Sequence, residues 1–125
     1  MSLKSLKLTS IVINNFFKYL SNSSSFPQIM NFFDETSTID FDGVSMKNKT
    51  RIQVFFHTIP IFKYCFSSLS YSDIPQTNCS VINIIGYIFF ENQAAKKFHS
   101  TICVSTNDDN VVIKSFILKF LYDGS

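Results

Sequence analysis

Two stretches in the second half of this chain are apolar on both sides of an extended backbone. In VINIIGYIFF, Ile82, Ile84, Ile88 and Phe90 share one face, and Val81, Ile85, Tyr87 and Phe89 share the other. Asn83 is the one polar residue on the second face. In VVIKSFILKFLY, Ile113 and Ile117 oppose Val112, Phe116, Leu118 and Phe120. Side chains alternate along a strand, so each stretch has two apolar surfaces. An antiparallel sheet usually packs one face and wets the other. Long strands that are apolar on both faces therefore need two covers. Helices of the same chain can supply one. A second molecule is expected to supply the other, since a large bare apolar patch is unusual on a monomer.

The helices lie in the first half. TSIVINNFFKYLSN places Val12 or Ile13, Phe16, Phe17 and Leu20 on one helical face, with Thr9 or Ser10 as a cap. SNSSS reads as a loop. SFPQIMNFFDE carries Pro27 near a helix start and Ile29, Phe32 and Phe33 at helical spacing, which predicts a short second helix. STIDF and VSMK flank Asp42-Gly43, the strongest tight-turn signal present. NKTRIQVFFHTIP is the clearest helix, with Ile52, Phe55, Phe56 and Ile59 in phase, Asn48 as cap and Pro60 as stop.

After Pro60 the pattern is that of strands. FKYCFSSLSYSD alternates through Phe62, Tyr64 and Phe66, and resumes at Leu69 and Tyr71 after a bulge at the serine pair. IPQTNC, ENQAAKK and TNDDN separate it from VINIIGYIFF, FHSTICVS and the final strand. Gly86 marks a bend at the middle of VINIIGYIFF. Helices and strands are segregated, which predicts an α+β fold with an antiparallel sheet. The 125 residues form a single domain, 1–125.

Composition narrows the function. The formal charge is +2, too small for nucleic-acid binding by charge alone. Lys4, Lys7, Lys96 and Lys97 are scattered, and no phosphate-binding glycine loop is present. The three cysteines (Cys65, Cys79 and Cys103) are far apart, so neither a disulfide framework nor a metal site is indicated. No apolar run reaches membrane-spanning length. These features predict a soluble intracellular protein without cofactor or metal.

Five markers in order carry a family resemblance: STIDFDG, the helix ending FFHTIP, GYIFFE, KKFHSTICV and VIKSFILKFL. With them the chain resembles the nuclear transport factor 2 superfamily over nearly its whole length. That resemblance implies a cone of three N-terminal helices packed on a strongly curved antiparallel sheet. Within the superfamily it is most similar to the small subunit of the mRNA export receptor, through Phe55-Phe56, Phe90-Glu91 and the basic pair Lys96-Lys97. The implied role is a non-enzymatic adaptor of the nucleus, cytoplasm and nuclear pore. It would pair sheet against sheet with the matching domain of the large receptor subunit and help bind Phe-Gly nucleoporins.

The runner-up is nuclear transport factor 2 itself, a homodimeric carrier importing Ran-GDP. Its acidic Ran contacts fall on Asp42 and Glu91, a third acid falls on Gln93, and the family tryptophan falls on Phe41. A third branch, the stress-granule scaffolds, has a domain similar at ENQAAKKF. Enzymes of the same fold place acid, His or Tyr inside the cone. The residues available for that role are His57, Tyr64, Asp73 and His99, which show no nucleophile and base spacing.

The expected partner interface comprises Asn83, Ile85, Tyr87, Phe89, Phe116, Leu118, Lys119 and Phe120. Lys119 interrupts FILKFL at a position where the family commonly has an arginine facing an acid of the partner. Such an interface would bury on the order of 2,000 Å². Asp42 is expected to form the turn and to double as a docking contact, and Asp40 to be a solvated residue of the hairpin.

Overall fold

The computed structural model describes residues 7, 8, 10–22, 26–107 and 110–121. Strands β1 (Thr38–Phe41) and β2 (Val44–Lys47) form the hairpin. Strands β3 (Phe62–Asp73), β4 (Cys79–Phe90), β5 (Lys96–Asn107) and β6 (Asn110–Leu121) form the long meander, twelve residues each. They make one six-stranded sheet in the order β2-β1-β6-β5-β4-β3. Thr9, Lys4, most of the SNSSS loop and the centre of the TNDDN turn lie outside the described residues.

The hairpin forms as its sequence demands. Asp42 and Gly43 both take positive φ, 50° and 93°, so the two-residue turn has the twist that suits paired strands. One departure from expectation follows from topology: β1 pairs with β6 in parallel. The two strands are separated by most of the chain, so no short connection forces them antiparallel.

The expected three full helices are also corrected. Ile11–Phe16 is π-helical and runs directly into α-helical Phe17–Leu20; this continuous run is α1. Ser10 is itself helical and makes no cap bond to the backbone. Lys49–Phe56 is α2, and the Asn48 side chain accepts the Arg51 N–H at 3.0 Å. Between them, Phe26–Ile29 is a single α-turn followed by a 3-10 turn, Met30–Phe32. It stops because Phe33 is already extended and the Asp34 carboxylate accepts the Thr36 N–H at 2.8 Å. That side-chain bond offers the backbone an alternative to helix.

Phenylalanines fill the space between helices and sheet. Phe16 and Phe17 of α1 have no exposed surface. Phe16 meets the Phe116 ring edge-on at 5.0 Å, and Phe17 lies 5.1 Å from Phe66 and 6.0 Å from Phe98. Ile52 and Phe56 of α2, and Ile82, Ile84, Ile88, Ile102 and Leu118 of the sheet, complete the core. Gly86 lies opposite Phe66 beside the β3 bulge, and a Cβ there would overlap the Cys65 carbonyl oxygen and crowd Phe98.

Two bulges set the phase of the long strands. Phe66 pairs with Gly86 and Ser68 with Ile85, leaving Ser67 as the extra residue expected at the serine pair. Cys103 pairs with Ser115 and Val104 with Ile113, leaving Lys114 unpaired. The second bulge brings Ile113 to the core side together with Phe116, rather than opposite it. Lys114 then reaches the Asp34 carboxylate at 2.7 Å and the Thr36 hydroxyl at 2.8 Å.

Candidate interaction surface on the outer sheet face

Residues paired across an antiparallel ladder project from the same side. The registers therefore read out the face that the helices leave uncovered. One row runs Cys65, Tyr87, Lys97 and Leu121. The next runs Ser68, Ile85, His99 and Lys119, and the third Ser70, Asn83, Thr101, Ile117 and Asp40. Phe89 stands at the end beside Lys63. Tyr87, Phe89, Ile117 and Leu121 are all more than a third exposed. Ile85 and Tyr87 of β4 are separated from Ile117 and Leu121 of β6 by Lys97, His99 and Thr101 of β5, with Lys119 beside His99 and serines along β3. Its strand acid is Asp40, and both Asp40 oxygens are engaged, one by the Gly43 N–H at 3.0 Å and one by the Ser45 hydroxyl at 3.2 Å. Asn83 is held by the Thr101 hydroxyl at 2.8 Å.

No protein-family model matches this sequence, and no curated protein matches it. Solved structures do. Nuclear transport factor 2 from Cryptosporidium parvum superposes with a TM-score of 0.84 at 9% identity, covering 97% of this chain and 98% of that one. Mtr2 from Candida albicans superposes at 0.78 with 15% identity, covering 95% and 97%. The complex of C. albicans Mtr2 with the Mex67 M domain gives 0.77 at 14% identity, with the same coverage. This chain has the nuclear transport factor 2 fold. The likeness extends over nearly the whole length of this chain and of each neighbour.

On this fold, Asn83, Ile85, Tyr87, Phe89 and Lys119 lie on the outer face. Phe116 and Leu118 do not: both are fully buried against the helices. Phe120 also faces the core side, where its ring lies 5.9 Å from Phe41 and carries the Lys96 ammonium 5.3 Å from its centroid. The expected interface mixed residues of opposite parity, and a strand can present only one parity outward. Ile117 and Leu121 of β6 were missed for the same reason, and Lys97 and His99 because β5 was left out of the expected interface. Lys119 held the missing signal. A lysine with no partner does not face a phenylalanine core, so Ile117 and Leu121, two residues to either side, share its outward face.

The acids expected as Ran-type contacts are differently placed. The Asp42 N–H donates to the Leu118 carbonyl at 2.7 Å, and its carboxylate accepts the Phe120 N–H at 3.2 Å. Asp42 thus ties the hairpin turn to β6. Glu91 is exposed in the β4–β5 turn. The four residues considered for an enzyme are not brought together. His57 is exposed after α2, and His99 is on the outer face. Asp73 accepts the Tyr71 and Ser80 hydroxyls at 2.7 and 2.9 Å. Tyr64 packs among Phe17, Phe62 and Phe66, where burial raises its pKa. Among the described residues no group of three metal-ligating side chains forms. Burial, with a smaller contribution from Cys79, pushes the Cys103 thiol up, as expected of a packed rather than a reactive cysteine.

Proposed function

We propose that this chain is a non-enzymatic adaptor of nucleocytoplasmic transport: the small subunit of an mRNA export receptor. It pairs through its outer sheet face with the matching domain of a larger subunit. The reading is supported by the likeness to Mtr2, alone and in its complex with the Mex67 M domain. The observation that carries it is the outer face itself. Ile85, Tyr87 and Phe89 of β4 and Ile117 and Leu121 of β6 flank Lys97, His99 and Lys119, and no strand acid is free to balance the two lysines.

That charge distribution disfavours a homodimer. A two-fold contact sets a patch against itself, so Lys97 and Lys119 would be brought up to a second copy of the same basic patch. Like charges placed together across an interface are costly. A different chain with acids in the facing positions removes that cost. The carrier reading, a homodimer importing Ran-GDP, has less support, because Asp42 is engaged by the β6 backbone and Gln93 stands where a third acid is needed. The adaptor would act in the nucleus, in the cytoplasm and at the pore, where the assembled pair engages Phe-Gly nucleoporins.

Co-expression with the matching domain of the large export subunit from the same organism, followed by light scattering, tests the proposal. A one-to-one complex is expected. Tyr87→Ala and Lys119→Glu should each weaken it about tenfold or more, as residues at the centre of an interface do. A stable monomer that ignores that domain, or a complex indifferent to both changes, would overturn the proposal.

A further inference from the structure

The outer face is hollowed at the end nearest the β4–β5 turn. The last cross-strand row there holds Tyr87, Lys97 and Leu121. The turn residues Gln93, Ala94 and Ala95 stand beside that row, and together they line a pocket of about 480 Å³. A volume of this size takes a whole side chain or a small ligand. Asn92 adopts a positive φ of 61°, and the Gln93 N–H donates to the Phe90 carbonyl at 3.2 Å, which folds the turn back beside the strand ends.

The lining offers donors and, among the described residues, no acid. Lys97 brings an ammonium from the outer face. The second lysine, Lys96, is paired with the buried Ile88 and belongs to the helix side, where its ammonium lies 5.3 and 5.7 Å from the ring centres of Phe120 and Phe90. Among the described residues Lys97 makes no ion pair, and the Ala94 and Ala95 N–H groups make no hydrogen bond. Glu91 opens the same turn but does not line the pocket. Lys119, one row along, adds a second positive charge to the same face.

We infer that this pocket receives an aspartate or glutamate side chain of the large subunit, carried on a segment that crosses Tyr87 and Leu121. The inference rests on the adaptor reading above and names the anchor of that contact. Continuity selects the occupant: Tyr87, Lys97 and Leu121 belong both to the pocket and to the paired face, so a chain that covers the face also covers the pocket mouth. Charge selects its chemistry, since a carboxylate accepts from an ammonium and from backbone N–H groups alike. A free anion would meet the donors but leave Tyr87 and Leu121 uncovered, whereas the stem of an acidic side chain packs on them. A second copy of this chain is a poor occupant, because it would bring one basic patch against another.

The test uses the full-length chain with the matching domain of the large subunit. A carbodiimide joins an amine directly to a carboxyl that touches it, and mass spectrometry of the digest reads the pair. Lys97 is expected to be joined to one Asp or Glu of the large subunit. Ala95→Phe, which fills the pocket from an exposed turn position, and Lys97→Met should each weaken the complex about tenfold or more in titration. Lys97→Glu, set against a lysine in place of the joined acid, should recover most of that loss. Thermal melts show that the variants are folded. The inference alone is overturned if the complex forms and Ala95→Phe leaves its affinity unchanged. It is also overturned if Lys97 is joined to nothing, to Glu91 or Asp123 of its own chain, or to a second copy. If the parent chain forms no complex at all, the adaptor reading fails and the inference falls with it.

Discussion

Asp40 and Asp42 carry most of the information in IDFDG. Both carboxylates are spent inside the molecule: Asp40 closes the turn, and Asp42 holds the turn against β6. Asp42 also adopts a positive φ that Asp tolerates better than most residues. Asp42→Ala is therefore expected to cost about 1–2 kcal/mol in chemical denaturation, while Asp42→Asn, which keeps an acceptor and the turn preference, costs less. The turn was legible from the Asp-Gly pair. The bond to β6 was not, because it joins residues 78 apart in the chain.

A second residue-scale prediction concerns acid. Lys114 donates to Asp34 at 2.7 Å and, with the Thr36 hydroxyl, holds the Asp34 carboxyl well below the usual carboxylate range. A depressed folded-state pKa gives stability that is present above the unfolded value of about 4 and is lost as pH falls below it. The pair is 38% and 40% exposed, so solvent screening holds its worth to about 1 kcal/mol or less. Lys114→Met should lower stability slightly at neutral pH and flatten the acid limb of the stability curve. An acid limb as steep as that of the parent would show that Asp34 is not held by Lys114.

Among the elements, β4 shows most clearly how sequence becomes shape. Its alternation places Ile82, Ile84 and Ile88 inward, and Gly86 occupies the one inward position where β3 leaves no room for a side chain. Gly86→Ala must push the two strands apart, and overpacking of this kind costs about 1–3 kcal/mol. The loss should appear as a lower urea midpoint, and an unchanged midpoint would mean that the strands separate without penalty. The four long strands, the serine-pair bulge and the Asn48 cap were readable locally. The Lys114 bulge was not, since nothing in VVIKSF marks an extra residue, and missing it set Ile113 opposite Phe116 instead of beside it. The middle helix was overestimated because its Phe spacing is helical while Asp34 and Thr36 draw the backbone away.

At the scale of the whole molecule, the excess of apolar side chains has two destinations. Phenylalanines fill the interior between helices and sheet, and the remainder lies outside on β4, on β6 and beside α2. The need for an outside cover was visible in the sequence as two-sided strands. Which residues need covering was only half visible: the odd residues of β4 were, but on β6 the outward parity marked by Lys119 was not applied to its neighbours. The outer face is also less apolar than those strands suggested, since β3 contributes Ser68, Ser70 and Ser72 to it.

Among the described residues, strand β3 is the longer of the two open rims of the sheet, the other being the four-residue β2. A straight twelve-residue rim would be a template for stacking one molecule onto the next into fibres. The extra Ser67 breaks the regular spacing of its amides, and its hydroxyl turns back to the Ile85 carbonyl at 3.0 Å. The same one-residue insertion that bends the strand over α1 thus spoils rim-to-rim growth, leaving flat contact through the broad face as the way this molecule can associate without polymerising.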